Sequence, residues 1–335
     1  MKIEIQVLRG DLYKVLQEFY PQLQVEATPY NVVFADERIG AKLIHYGPGD
    51  INTPLLIIPA IINRQYILDI HPDVSVVKAF YDAGFNVYMI DWGYPGKDHE
   101  NVSFKDYIEF INKTQEFISN DKISIFGYCT GGIIAVIYAA LHPNDVKNLI
   151  LLATPTDFNL QDIRILWGKW FDVEKVVNIF GNVPGELINL IGIFLFFYHF
   201  PRFSMRPGFI NEFFSYEFFR DCQRRLRWIL DSQMIPGNAY SQFIIDCYKK
   251  NLFIKGKMTV GDEVDLKRIS MPVLNILARY DHIIAPDSGI AIKKVIPSRD
   301  YEEILFPSSH VGLCTSKKAH KNLWPRVCDW LKERS

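Results

Sequence analysis

The chain has 335 residues, 49% of them hydrophobic and 14% aromatic, and a formal net charge of −1. That length and apolar content suit one α/β core carrying a sizeable insertion. A charge this close to zero removes any general electrostatic case for a nucleic-acid binder.

Taken in order, residues 12–19 read as a short helical lead-in that ends near Pro21. The opening Met1-Lys-Ile-Glu-Ile-Gln is too polar for a signal peptide. Runs at 31–35 and 41–46 predict a leading antiparallel pair, and 55–59 a buried strand. A helix is predicted over 74–83, a strand over 86–90, a helix over 104–118 and a strand over 123–126. A helix of small residues follows at 133–141, then a strand at 148–153. Apolar runs alternating with helices predict a parallel sheet covered on both faces.

The alternation stops after Pro155. From Thr156 to about Gly261 the pattern is helical and rich in aromatic residues, with Phe194-Leu-Phe-Phe-Tyr and Phe213-Phe-Ser-Tyr-Glu-Phe-Phe219. The longest apolar stretch, 187–200, is shorter than the ~20 residues a membrane span needs. Regular order resumes with a strand at 273–278, a helix at 288–295, a strand at 301–306 and a helix at 320–333. Five cysteines, Cys129, Cys222, Cys247, Cys314 and Cys328, are odd in number and lack metal-ligand spacing. That pattern predicts free thiols in a reducing compartment. No metal cluster is evident, nor a glycine-rich phosphate loop after the first strand, so no resident cofactor is expected.

One stretch organises the rest. The apolar run 123–126 enters a turn framed as Gly127-Tyr-Cys129-Thr-Gly131, and a helix leaves it. This is the pattern of a nucleophile elbow with cysteine where serine is usual. A lone buried cysteine is more often a small core hydrophobe; the strand–turn–helix context reverses that weighting. At the start of the helix, the partial positive charge favours a thiolate. The order of such sites is nucleophile, acid, histidine. Asp281 follows the strand at 273–278, and His310 follows the strand at 301–306, each in its expected slot. Singly, Asp281 reads equally well as a turn residue and His310 as a surface residue; three slots filled together make the stronger signal. Asp157 and Asp265 lack such placement. His282, adjacent to the acid, either points into the site or serves the structure. The fold class expected is therefore an α/β-hydrolase fold with a helical lid after the sixth strand: core at 1–155 and 262–335, lid at 156–261.

In this arrangement His310 takes the proton of Cys129, and Asp281 holds the imidazole. Two backbone amides must bind the oxyanion. One is that of Thr130. The other belongs to the loop after 55–59, at Ile61 or Ile62, with Ile62 taken as the expected donor. That loop, Pro59-Ala-Ile-Ile-Asn-Arg, lacks the His-Gly of many lipases. A cysteine gives a thioester intermediate, close in energy to an acyl-CoA, which can pass its acyl group to an alcohol. The residue choice points toward acyl transfer rather than hydrolysis.

Five segments together, Gly127-Tyr-Cys-Thr-Gly-Gly, Pro59-Ala-Ile-Ile-Asn-Arg-Gln-Tyr-Ile-Leu-Asp69, Val87-Tyr-Met-Ile-Asp-Trp-Gly93, Tyr280-Asp-His-Ile-Ile-Ala-Pro286 and Ser309-His-Val-Gly312, resemble polyhydroxyalkanoate synthase catalytic subunits. The resemblance runs from about residue 40 to the C-terminus. With no long N-terminal domain, the chain is similar to the short subunit of the two-component enzymes. The resemblance implies polymerisation of (R)-3-hydroxyacyl-CoA, typically 3-hydroxybutyryl-CoA, with release of CoA. It carries the nucleophile to Cys129, the acid to Asp281 and the histidine to His310. It also implies a second, helical subunit, a cytoplasmic location at polymer granules, and no cofactor beyond the CoA of the substrate. A homodimer is left open. Two other readings stay open: a cysteine thioesterase or lipase-like hydrolase on the same fold, and a non-catalytic granule-binding protein.

Outside the elbow the signals are weaker. Aromatic stripes in the insertion are first of all packing, and then candidates for a dry channel or a granule contact. Arg224, Arg225 and Arg227 read as a solvated helix face, with a clamp for CoA phosphates as the functional option. Arg64 and Arg202 are weaker candidates of the same kind. Asp91 and Trp92 follow a strand end, where packing is the expected role.

Overall fold

A computed structural model describes residues 25–159, 172–187, 190, 223–225, 227–229 and 231–335. The predicted lead-in helix, both Phe-rich runs of the insertion, Arg202 and Cys222 lie outside the described residues.

The core is an eight-stranded sheet. Its strands are β1 (Asn31–Asp36), β2 (Ala41–His45), β3 (Ile51–Ile58), β4 (Phe85–Asp91), β5 (Ile123–Tyr128), β6 (Val146–Leu152), β7 (Val273–Ala278) and β8 (Tyr301–Phe306). Their order across the sheet is β1-β2-β4-β3-β5-β6-β7-β8. Strands β3 to β8 run parallel, while β2 is antiparallel to both β1 and β4. The expected eight strands are all present, and half of their sixteen ends shift by one or two residues. Strand β3 starts earlier than predicted, at Ile51, with an irregularity before Leu55 where Pro54 cannot donate to the ladder.

The helices are α1 (Val76–Asp82), α2 (Phe104–Ile118), α3 (Thr130–Leu141), α4 (Val173–Phe180), α5 (Gly237–Gln242), α6 (Pro286–Ile290), α7 (Gly312–Thr315), α8 (Lys317–Asn322) and α9 (Trp324–Lys332). Alternate residues of the strands feed two cores, as the two-residue period of a strand requires. Leu56 and Ile58 join α2 and α3 on one face. Leu55 and Ile57 join α1 and α9 on the other. Helix α3 is buried on nearly every side, which explains its uniform small and apolar residues. Helix α2 is amphipathic and begins at a reciprocal cap: the Ser103 amide and hydroxyl donate to Asp106 at 2.8 and 2.6 Å.

Two predicted helices differ. The single helix expected at 320–333 is split in two at Leu323: α8 ends at Asn322, and Pro325 fits only the first turn of α9. The helix expected at 288–295 starts at Pro286 and tightens into a 3-10 turn at Ala291–Lys294. The insertion leaves the sheet after β6 and returns at β7. Its described part is not only helical. It holds α4, α5 continued as a π-helix over Phe243–Lys249, and two small antiparallel ladders, Val183–Pro184 with Met234–Ile235 and Thr259–Val260 with Asp262–Glu263. No helix among the described residues is long and apolar enough to cross a membrane.

Trp324 anchors the face away from α3. It is fully buried, its ring centroid lies 5.8 Å from Phe80 and 6.0 Å from Phe126, and its Nε1 donates to the Leu313 carbonyl at 3.0 Å. Replacing it with alanine leaves a large cavity and an unpaired carbonyl. We expect Trp324→Ala to lower stability by about 3–5 kcal/mol, read as a lower urea midpoint at unchanged slope.

Candidate active site

Cys129 stands between β5 and α3 in a backbone conformation that few side chains adopt, φ 54 and ψ −120. Such a residue stores about 1–3 kcal/mol of strain, so its surroundings must hold it. The Cys129 amide donates to the Leu152 carbonyl of β6 at 2.9 Å, and the Cys129 carbonyl accepts from Gly132 at 3.0 Å. The turn tolerates no side chains beside it. A Cβ on Gly127 would lie 2.5 Å from the Gly132 Cα, and one on Gly131 would run into the Ile58 and Pro59 carbonyls. Cys129 is 8% exposed, at the floor of the C-terminal edge of the parallel strands.

The structure brings Asp281 and His310 to this thiol. Nδ1 of His310 lies 2.7 Å from Oδ2 of Asp281, and both side chains are almost wholly buried. On its other side the imidazole is close enough to the Cys129 sulfur for that sulfur to raise its pKa. Asp281 is fixed in turn: its Oδ1 accepts from the amides of Ile283 and Ile284, both at 2.7 Å. Burial works against charge on both partners, but the pair overrides it. Burial lowers the His310 pKa, yet the Asp281 carboxylate and the Cys129 sulfur push it up to about 10. Burial raises the Asp281 pKa, yet the imidazole and the two amides hold it below the usual 3.8. The three groups therefore form a line of carboxylate, imidazolium and sulfur, able to hold and move one proton at the thiol.

The residue after the nucleophile faces the loop after β3. The Ile61 amide donates to the Thr130 hydroxyl at 3.1 Å, so the loop and the elbow are tied. Of the two loop amides expected from the sequence, this fixes the direction of Ile61's. That of Ile62 is set through the Ile61 carbonyl, which accepts from the Gln233 side chain at 2.6 Å.

Several residues the sequence reading passed over line the same region. The Tyr128 ring packs 5.3 Å from the His310 ring and is fully buried. Burial pushes the Tyr128 hydroxyl and the Cys314 thiol far above their usual range, so both are neutral. A Cβ on Gly312, in the loop that carries His310, would crowd the Ser308 and Ser309 hydroxyls at 2.5 and 2.8 Å and make those side chains turn. Only the crowding in three dimensions marks Tyr128 and Cys314.

The other candidates divide. Trp92 packs at the strand end as expected, its Nε1 donating to the Pro59 carbonyl at 3.0 Å. Arg64 is buried and committed: it pairs with Asp91 at 2.9 Å, donates to the Gly93 carbonyl at 2.7 Å and lies 4.1 Å over the Tyr94 ring. The cluster at 224–227 is not a solvated face. Arg224 is only 7% exposed, and with Arg225 it lines a small cleft beside Ile70, Val74 and Thr315. Asp157 accepts from Asn251 at 2.9 Å, and Asp265 caps a 3-10 turn through the Lys267 amide at 3.0 Å. His282 is half-buried beside Asp281. Among the described residues no group of three or more His, Cys, Asp or Glu is disposed to hold a metal ion.

Comparison with known proteins bears on the fold and the family. A family model for the α/β hydrolase fold matches residues 53–315. A second, described as the N-terminus of poly-beta-hydroxybutyrate polymerase (PhaC), matches residues 17–80, earlier than the motifs reach. The chain is 37% identical over 292 residues to the poly(3-hydroxyalkanoate) polymerase subunit PhaC of Allochromatium vinosum, covering 84% of this chain and 81% of that one. It is 37% identical over 323 residues to that of Thiocystis violacea, covering 92% and 89%. It is 34% identical over 333 residues to that of Haloferax mediterranei, covering 95% and 66%. Among solved structures it resembles a Paleococcus ferrophilus monoacylglycerol lipase, with TM-score 0.57 and 16% identity over 84% of this chain and 96% of the lipase. It also resembles a putative lipase of Sulfolobus solfataricus, with TM-score 0.55 and 17% identity over 92% of this chain and 99% of the lipase. At such identity these two likenesses speak for the fold alone.

The buried pair gives a pH signature. The His310 contribution is fully present below the unfolded value of 6.5 and is lost as pH rises toward the folded value of about 10. The Asp281 contribution is present above the unfolded value of 3.8 and is lost as pH falls through the lower folded value. The urea-midpoint gap between wild type and Asp281→Asn is therefore expected to be widest from about pH 4 to 6.5 and to narrow on both sides.

Proposed function

Because the chain belongs to the poly(3-hydroxyalkanoate) polymerase subunit PhaC family of acyltransferases and has the α/β-hydrolase fold, we propose that it polymerises (R)-3-hydroxyacyl-CoA through a thioester on Cys129. The substrate taken as typical is 3-hydroxybutyryl-CoA. The observation that carries this reading is the line Asp281–His310–Cys129 at a strained elbow, with sulfur where hydrolases of this fold usually have oxygen.

The cycle has two halves. In the first, His310 holds the proton of Cys129, and the sulfur attacks the acyl carbon of the substrate. A new carbon–sulfur bond forms on Cys129. The bond to CoA breaks, and the leaving thiolate takes the proton from His310. Both thioesters have similar transfer potential, so this half runs close to balance. In the second, the 3-hydroxyl of another acyl unit gives its proton to His310 and attacks the Cys129 thioester. An ester bond forms, the carbon–sulfur bond breaks, and Cys129 is restored. The conversion of a thioester to an oxygen ester drives the sequence forward. The Thr130 amide and that of Ile62 supply the oxyanion site, the Ile61 amide being taken by the Thr130 hydroxyl.

Water is the competing nucleophile in the second half. The insertion at 156–261 acts as a lid that keeps the acyl-enzyme dry, and the 8% exposure of Cys129 supports that role. The helical second subunit and the granule surface are the partners this function calls for, with no cofactor beyond the CoA of the substrate.

Incubation with 3-hydroxybutyryl-CoA tests the reading. The wild type should release CoA and form an insoluble polyester, and Cys129→Ala should lose CoA release by at least about 10³-fold. Free 3-hydroxybutyrate in place of polymer would make the enzyme a thioesterase, and CoA release that survives in Cys129→Ala would remove the sulfur from the mechanism.

A further inference from the structure

The loop after β3 is held from the insertion side by residues far away in sequence. Gln233 is 2% exposed, and its Nε2 donates to the Ile61 carbonyl at 2.6 Å. Trp228 Nε1 donates to the Arg64 carbonyl at 2.7 Å, and Asn63 forms an antiparallel bridge with Ser232. From the other side, the Ile61 amide donates to the Thr130 hydroxyl at 3.1 Å. Ile61 is thus the joint between the elbow and the insertion.

A peptide unit is planar, and the described chain has no cis bond. The Ile61 carbonyl and the Ile62 amide therefore point to opposite edges of one plane. A group that fixes the carbonyl fixes the amide. We propose that Gln233 is a positioning residue for the oxyanion loop: its side-chain amide holds the Ile61 carbonyl and so sets the direction of the loop amide that receives the oxyanion. The inference rests on the thioester reading above. It also gives a use to parts that the proton line leaves unexplained. The Gln233 carbonyl oxygen lies 3.5 Å from Nη1 of Arg64, and Arg64 is itself held by Asp91 and the Gly93 carbonyl. The buried Asp91–Arg64 pair orients Gln233, and Gln233 orients the loop. An acyl-transfer site on this chain is then complete only when the insertion is seated.

The test compares wild type, Gln233→Leu and Gln233→Glu in two assays. One is steady-state CoA release from 3-hydroxybutyryl-CoA; the other is the rate of Cys129 alkylation by iodoacetamide, which needs the thiol and His310 but no oxyanion site. Both variants should lose about 10- to 100-fold in kcat, with KM and the alkylation rate within about two-fold of wild type. Glutamate keeps the length of the side chain and its pairing to Arg64 but cannot donate when ionised. Wild-type kcat in Gln233→Glu would mean that the side chain only anchors Arg64, and would overturn the proposal. An alkylation rate that falls in step with kcat, or a loss confined to KM, would also overturn it. A wild type that is alkylated at Cys129 but releases no CoA would instead sink the polymerase reading itself.

Discussion

The positive φ of Cys129 is the constraint on which the rest depends. A side chain in that conformation is unfavourable by about 1–3 kcal/mol, and the turn persists only because its neighbours leave no alternative. Strand β6 takes the Cys129 amide through Leu152, helix α3 takes its carbonyl through Gly132, and the close passage of Ile58 and Pro59 forbids a side chain at Gly131. Three elements from across the sheet therefore converge on one residue. The same geometry sets the sulfur at the first turn of a buried helix, where the unpaired amides favour negative charge. The sheet order puts β3, β5 and β6 side by side, so the elbow and the loop that faces it are neighbours by topology.

Burying an imidazole against a carboxylate is not in itself a source of stability. The desolvation of two charges rivals their attraction, and such a pair holds only where further hydrogen bonds complete it. Here the Ile283 and Ile284 amides complete Asp281, and the Cys129 sulfur beside His310 favours the charged imidazole. The loop following β7 is thus shaped to hold a carboxylate ionised in a dry site. The sulfur beside it inherits a fixed proton partner rather than a mobile one.

How much of this was legible in the sequence follows from the range of each interaction. The elbow was legible because its signals are adjacent: an apolar strand, two obligatory glycines and a small-residue helix. Asp281 and His310 were legible because each directly follows a strand whose rank in the sheet could be counted. Gln233 was not. Its partner Ile61 lies 172 residues away, and no periodicity links the two. The arginine cluster misled because charge density alone implied solvent, whereas Arg224 is buried among neighbours from elsewhere in the chain; long apolar stems let arginine enter such places. The C-terminal helix reads as continuous from its spacing because the apolar period survives the single break at Leu323 that Pro325 imposes.

The insertion is usually regarded as a cover in folds of this kind, with the chemistry complete beneath it. The contacts here argue for a closer dependence. Among the described residues the loop from Pro59 to Arg64 has one isolated β-bridge, Asn63 with Ser232, and its backbone carbonyls at Ile61 and Arg64 are satisfied by Gln233 and Trp228, both from the insertion. The phenol of Tyr94 reaches the same segment at Asp231, 2.8 Å away. Moving 228–233 away would strip two buried carbonyls of their donors, each a cost of about 1–3 kcal/mol. Displacing this segment would therefore disturb the loop opposite Cys129.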